Sequence, residues 1–311
     1  MKKAVLYVAS AAIFLFSCKK DNSGSNEKTT QKLYQVNLNL SGFTETISNS
    51  TKSKLQVNGL KTDAVTDYLK ILYYYVFDSN GVMLHSIIQD STSANFGNIS
   101  DNLPSGTYTV AIAAGQSGLA VPARSVTGQT INIREEYLYY SGIWKDTFFN
   151  KFQLTVSGAN VGQSITGNRI AGQLEVNIED AIPATASKMQ ISITGQGTGY
   201  SFFTETLINV NTTMVVSTKI PNTVIGTTNY KLNNIVLNTY APFNVKIICY
   251  DAASKVLGAA VVADVTCEKN RRTILSGKLF GSSDTFTVTL NSTWDPTPIV
   301  VPLSGSYGSQ K

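Results

Sequence analysis

Cys18 is the residue whose surroundings most clearly specify a reaction. It follows Leu15-Phe16-Ser17, which close a short apolar run, Ala4 to Phe16, that begins behind Lys2 and Lys3. A basic start, a brief apolar stretch and a small residue directly before a cysteine make a secretion signal of the lipoprotein type. The chemistry is acyl transfer: the thiol is diacylated, the chain is cut before Cys18, and the new amino group is acylated. Residues 1–17 are thus the signal peptide, too short to be a spanning helix. Each buried methylene contributes about 0.8 kcal/mol, so two or three acyl chains, palmitate among them, hold the mature chain firmly on a membrane.

The other reactive residue types are sparse. Cys249 shares a strand face with Val245 and Ile247, and Cys267 shares another with Ala263 and Val265. An oxidising envelope permits a disulfide between them, and two buried free thiols satisfy the pattern equally well. The single histidine, His85, lies in a strand beyond a hairpin and reads as a face or edge residue, so no His-based or Cys-His metal site is expected. Asp78-Ser79-Asn80-Gly81 lacks the alternation and distant glutamate of a calcium loop and reads as a turn. Glu135-Glu136 point opposite ways if extended and read as solvated surface. Gly195-Gln196-Gly197-Thr198-Gly199 is followed by a β-like run where a dinucleotide site needs a helix, so a hairpin connection is expected. No nucleophile elbow or phosphate loop occurs. The expectation is a protein without catalytic residues and without a cofactor.

Those residues must be carried by strands. Charged residues are only 14 % of the chain, and 15 Tyr and 13 Phe accompany abundant Thr, Ser, Asn and Gly. Loss of Lys2 and Lys3 with the signal lowers the net charge of +5 further, which argues against nucleic acid as partner. Residues 18–32 hold the lipidated cysteine and a polar tether, since nothing from Lys19 to Thr30 is apolar. From Leu33 onward strand patterns dominate. Tyr68 to Phe77 is apolar on both faces, as a central strand requires, and runs through Asn80-Gly81 into Val82-Met83-Leu84 as a hairpin. Leu174, Val176 and Ile178 alternate with Glu175, Asn177 and Glu179 as an in-out strand. Tyr250-Asp251-Ala252-Ala253-Ser254-Lys255 echoes Phe77-Asp78-Ser79-Asn80-Gly81-Val82. Many short strands without long helices predict an all-β chain of two tandem β-sandwich domains, 33–145 and 146–296, with a tail at 297–311. The tail, with Ile299-Val300-Val301-Pro302-Leu303, reads either as a frayed terminus or as a strand offered to a partner.

Two resemblances extend this reading. Lys19-Lys20-Asp21 after the acylated cysteine resembles the export signal of surface-exposed Bacteroidetes lipoproteins, and Asp90-Ser91-Thr92 matches their short O-glycosylation pattern. The lipobox, Val76-Phe77-Asp78-Ser79-Asn80-Gly81 and Leu103-Pro104-Ser105-Gly106-Thr107-Tyr108-Thr109-Val110 resemble the first domain of fimbrillin-associated anchor lipoproteins, the FimB-type fimbrial anchors of Bacteroidetes. Arg169 to Val176 with Ile182-Pro183, then Lys269 to Phe280 and a terminal strand near Trp294, follow in similar order, so the resemblance covers about residues 33–296. It implies two transthyretin-like, Ig-like sandwiches and a structural, adhesive role. In that role an outer-membrane lipoprotein at the fimbrium base, facing outward, holds fimbrillin-like subunits through β-strand pairing. Shaft subunits of the superfamily are trimmed after an arginine; here the first arginine is Arg124, which favours a retained lipid. The alternatives are a surface glycan-binding lipoprotein, for which the chain offers only Trp144 and Trp294, and a fimbrial shaft or tip subunit.

Overall fold

The computed structural model describes residues 31–44, 69–122, 130–281, 286–291 and 305–309. The lipidation site Cys18, the signal and tether through residue 30, and Trp294 lie outside them. Among the described residues there is no α-helix; one 3-10 turn, Asn222–Val224, interrupts the strands.

The first part of the chain forms β1 (Leu33–Thr44), β2 (Ile71–Phe77), β3 (Met83–Asp90), β4 (Asn98–Pro104), β5 (Gly106–Gly115), β6 (Leu119–Ala120), β7 (Tyr137–Tyr140), β8 (Thr147–Val156) and β9 (Val161–Arg169). Seven of them make one sheet in the order β3-β2-β5-β8-β9-β1-β4. All neighbours are antiparallel except β1 and β9, which run parallel, so the first strand of the sheet lies between two partners. Its sequence makes β2 the two-sided strand: Leu72, Tyr74 and Val76 enter one core, while Tyr73, Tyr75 and Phe77 enter another. The sheet curls until its outer strands meet through side chains. Gln89 on β3 donates to the Asn98 carbonyl at 2.8 Å and accepts from the Gly97 amide at 2.9 Å. His85 Nδ1 lies 2.8 Å from Asp101 Oδ1 on β4, and the Tyr74 hydroxyl donates to Asp101 Oδ2 at 3.1 Å. The enclosed core is built from Val36, Leu38, Tyr74, Ile99, Val110, Leu154 and neighbours.

Two turns show why the sequence echo exists. Asp78 Oδ1 accepts from the amides of Asn80 and Val82, both at 2.8 Å, with Gly81 at φ +79°. Asp251 Oδ1 accepts from Ala253 and Lys255 at 2.9 and 2.8 Å, with Ser254 at φ +66°. In both, an aspartate at the strand end satisfies the turn amides that the ladder leaves unpaired.

The remaining strands are β10 (Gly172–Ile178), β11 (Ala186–Gln196), β12 (Gly199–Ser201), β13 (Leu207–Ile208), β14 (Thr212–Lys219), β15 (Tyr230–Val236), β16 (Phe243–Asp251), β17 (Val256–Val265), β18 (Arg272–Gly277), β19 (Phe286–Asn291) and β20 (Gly305–Ser309). A four-stranded sheet, β15-β10-β18-β19, and a five-stranded sheet, β17-β16-β11-β14-β20, share a core of Leu174, Val176, Ile191, Ile193, Val216, Val245, Ile247 and Leu275. Within the tail, Gly305–Ser309 pairs antiparallel with β14 of the same chain.

Three expectations change in detail. The boundary placed at 145/146 falls inside the seven-stranded sheet, because β8 pairs β5 along its whole length and β9 pairs β1. The change of sheet comes after Arg169. The two parts also share a third core, in which Tyr73, Tyr75 and Phe149 meet Leu138, Tyr140, Trp144, Tyr200, Phe202, Ile235 and Leu237. The described residues from Leu33 onward accordingly belong to one compact unit. Finally, β10 is buried on both faces. Glu175 is 2 % exposed and is held by Lys231 at 3.0 Å and Arg272 at 3.1 Å, since a buried carboxylate persists only when paired.

Candidate functional site

The residues with reactive side chains are placed as packing elements. His85 ties β3 to β4 through Asp101, as described above. Glu135 is exposed, but Glu136 is 3 % exposed, which corrects the solvated-surface reading for one of the pair. Its backbone carbonyl accepts from the Phe202 amide at 2.9 Å, which draws the residue inward. Burial, then the charge of Glu136, holds the Tyr75 hydroxyl above the usual phenol range. The glycine run is not the hairpin expected: β11 extends to Gln196 and β12 begins at Gly199, but β11 pairs with β14 and β16 while β12 pairs with β7 and β13, so Gly197-Thr198 links two sheets. A Cβ on Gly197 would lie 2.9 Å from the Ile208 carbonyl, and one on Gly199 would lie 2.7 Å from the Ile208 side chain. Close approach of β13, and no phosphate, explains those glycines. Among the described residues no group of three His, Cys, Asp or Glu could hold a metal ion.

Cys249 and Cys267 are both free and buried, so the disulfide left open by the sequence is not formed. The register gives the reason. Cys267 follows Val265, which pairs with Phe243 at the start of β16, whereas Cys249 lies six residues further along that strand. At 3.3 Å per residue the separation is about 20 Å, against the roughly 7 Å a bridge allows. Burial pushes the Cys249 thiol up to about 11 and the Cys267 thiol up to about 12, the latter partly offset by a hydrogen bond with Thr273. Both thiols should therefore resist an aromatic disulfide reagent at pH 8 in the native protein and react at once in denaturant. A rapid native reaction at either would contradict their burial. Because both values are raised in the folded state, the stability they contribute is complete below the ordinary thiol value of 9.0. It is lost as pH rises from there through 11 and 12.

The most accessible chemistry is that of the backbone at sheet edges. Among the described residues β19 pairs only with β18. Val288 stands opposite Leu275 and Leu290 opposite Thr273, so both point to the core side of their sheet. Leu275 is fully buried, yet Val288 is 47 % and Leu290 44 % exposed. The strand, Phe-Thr-Val-Thr-Leu-Asn, contains no charged residue and no proline. By contrast the outer strands β3, β15 and β17 carry Asp90, Lys231 and Asp264, the kind of residue that discourages edge pairing, and the uncharged outer strands β6, β13 and β20 are only two, two and five residues long. The sequence reading missed this edge because alternation along β19 looks like that of any half-buried strand.

No protein-family model and no curated protein matches the chain. Solved structures do. A candidate polysaccharide-binding protein of Bacteroides thetaiotaomicron is similar at TM-score 0.55 and 12 % identity, over 83 % of this chain and 96 % of that one. A candidate adhesin from the same species is similar at TM-score 0.53 and 10 % identity, over 84 % and 97 %. The fimbrial anchor protein Mfa2 of Porphyromonas gingivalis matches at TM-score 0.48 and 13 % identity, over 85 % and 100 %. The first two share with this chain a fold of packed β-sheets.

Proposed function

We propose that this chain is a fimbrial anchor or assembly lipoprotein, held in the outer membrane through acylated Cys18 and facing outward, that grips fimbrillin-like subunits by strand addition. The observation that carries the reading is β19, an uncharged outer strand whose core-side Val288 and Leu290 stand half exposed. A partner strand laid along β19 would satisfy its free backbone groups, each hydrogen bond contributing about 0.5–1.5 kcal/mol net. It would also cover Val288 and Leu290, which sets its register by alternation. The lipoprotein signal, the polar tether and the absence of arginine before Arg124 support retention of the lipid. The fold-level neighbours, described as an adhesin and a polysaccharide-binding protein, support an adhesive surface role.

The test is extraction of outer membranes with mild detergent, followed by mass spectrometry of the chain and of what accompanies it. An acylated Cys18 peptide with a fimbrial subunit is the expected result. The double change Val288→Lys with Leu290→Lys should cut that subunit's recovery at least tenfold while the melting temperature moves by only a few degrees. Unchanged recovery would remove β19 as the grip. A lipid-free chain found in sheared filaments would make this a shaft or tip subunit.

A further inference from the structure

A cleft of about 350 Å³ opens where the segment after β15 passes the end of β11 and the strand β13; its walls include Thr206, Leu207, Val210, Asn238, Tyr240 and Pro242. From these walls we infer a binding site for one pyranose ring of a neutral glycan, with Tyr240 as the stacking surface and Asn238 as the hydroxyl-reading group. The inference is independent of the assembly role and of β19.

The amide of Asn238 carries the argument. The residue is 4 % exposed. Its Oδ1 accepts from the Tyr240 amide at 3.2 Å and the Ala241 amide at 3.1 Å, which fixes the side chain's orientation. Nδ2 is thereby turned toward Gly195, where a Cβ would stand 3.3 Å from it. Among the described residues Nδ2 makes no hydrogen bond of its own, although the residue lines the cleft. A nearly buried amide beside a cleft, with two donors that find no protein acceptor, is satisfied by water or by a ligand oxygen.

Tyr240 supplies the second half of the recognition. It is 47 % exposed, and its hydroxyl donates to the Glu205 carbonyl at 2.9 Å. Lys269 Nζ lies 4.9 Å from its ring centroid and 5.6 Å from that of Tyr200, so the ring is braced by a cation shared with a buried neighbour. A rigid, half-exposed aromatic loses little freedom on binding. Leu207, Val210 and Pro242 extend the apolar surface around it. No charged side chain is among the described residues of these walls. Walls without a charge of their own fit a neutral ligand better than a phosphate, an amino acid or an acidic peptide. A purely apolar ligand would bury Asn238 Nδ2 unpaired, which is unfavourable. A sugar ring has what remains: an apolar C–H face for Tyr240 and neutral oxygens for Nδ2. The cleft's size suits one such ring, at the small end of ligand sites.

The test is isothermal titration calorimetry of the purified full chain with maltohexaose, cellohexaose, mannohexaose and chitohexaose. At least one should bind. Asn238→Asp keeps the acceptor for the Tyr240 and Ala241 amides and deletes the donors, so it should weaken that binding at least tenfold with an unchanged far-ultraviolet spectrum. Tyr240→Ala should do the same, whereas Tyr240→Phe, which keeps the ring, should stay within about threefold of the parent. Absence of binding to all four hexasaccharides would overturn the inference. So would binding that Asn238→Asp and Tyr240→Ala both leave intact.

Discussion

Replacing Trp144 by alanine should remove about 3–5 kcal/mol of stability, the usual cost of deleting a buried aromatic. Trp144 is 1 % exposed and sits in the core where the seven-stranded sheet meets β7, β12 and β15. It packs edge-on to Tyr140 at 5.2 Å, and its Nε1 donates to the Gly197 carbonyl at 3.1 Å. Alanine leaves a cavity walled by Tyr140, Tyr200 and other rings too stiff to collapse into it. The same change leaves the Gly197 carbonyl unpaired. Trp144→Phe, which keeps most of the volume, should cost about 1–3 kcal/mol, chiefly for that carbonyl. Urea unfolding followed by circular dichroism reads both. A loss below 1 kcal/mol for Trp144→Ala would mean that the shared core is not part of the cooperative unit.

Asp146→Ala should cost about 3 kcal/mol, with little dependence on salt. Its carboxylate takes Arg169 in a fork, Nε to Oδ1 at 2.7 Å and Nη2 to Oδ2 at 3.0 Å. Arg169 Nη1 also donates to Asn270 Oδ1, and the guanidinium lies 4.9 Å from the Phe148 ring centroid. The two side chains are only 11 % and 19 % exposed, so removing the acid leaves a mostly buried cation without its counter-charge. Arg169 ends β9 exactly one residue before Ile170 of the shared core, so the strain falls at the join between sheets. Pairing Asp146→Ala with Arg169→Met should recover much of the loss, because the uncompensated charge then disappears. Additive single costs in that double-mutant cycle would show that the two side chains stabilise the protein separately.

Much of the fold was legible because it is local. The two-sided apolar run in β2 and the aspartate turns at Asp78 and Asp251 follow from side-chain period and turn chemistry. What was not legible depends on residues far apart. Nothing in Thr147 to Arg169 reveals that β9 will lie parallel to β1, more than a hundred residues away, so the domain boundary was set too early. Glu175 reads as solvent-facing until Lys231 and Arg272 are seen beside it. The cysteines remained ambiguous until the register of β16 and β17 separated them. Asn238 looks like an ordinary loop amide; only its two backbone donors and its burial single it out.

The position of β1 has a mechanical consequence. A pull on the chain ahead of Leu33 runs along β1, which is bonded to β4 on one side and to β9 on the other. Such tension loads both ladders in shear, so many hydrogen bonds must slip together before the strand is extracted, and the rate of that event sets the lifetime under force. Among the described residues β19 and β20 each border a single neighbour and can peel away one bond at a time. Tension entering from the amino-terminal side thus meets the seven-stranded sheet at its most resistant point, and the carboxyl-terminal strands are the first to yield.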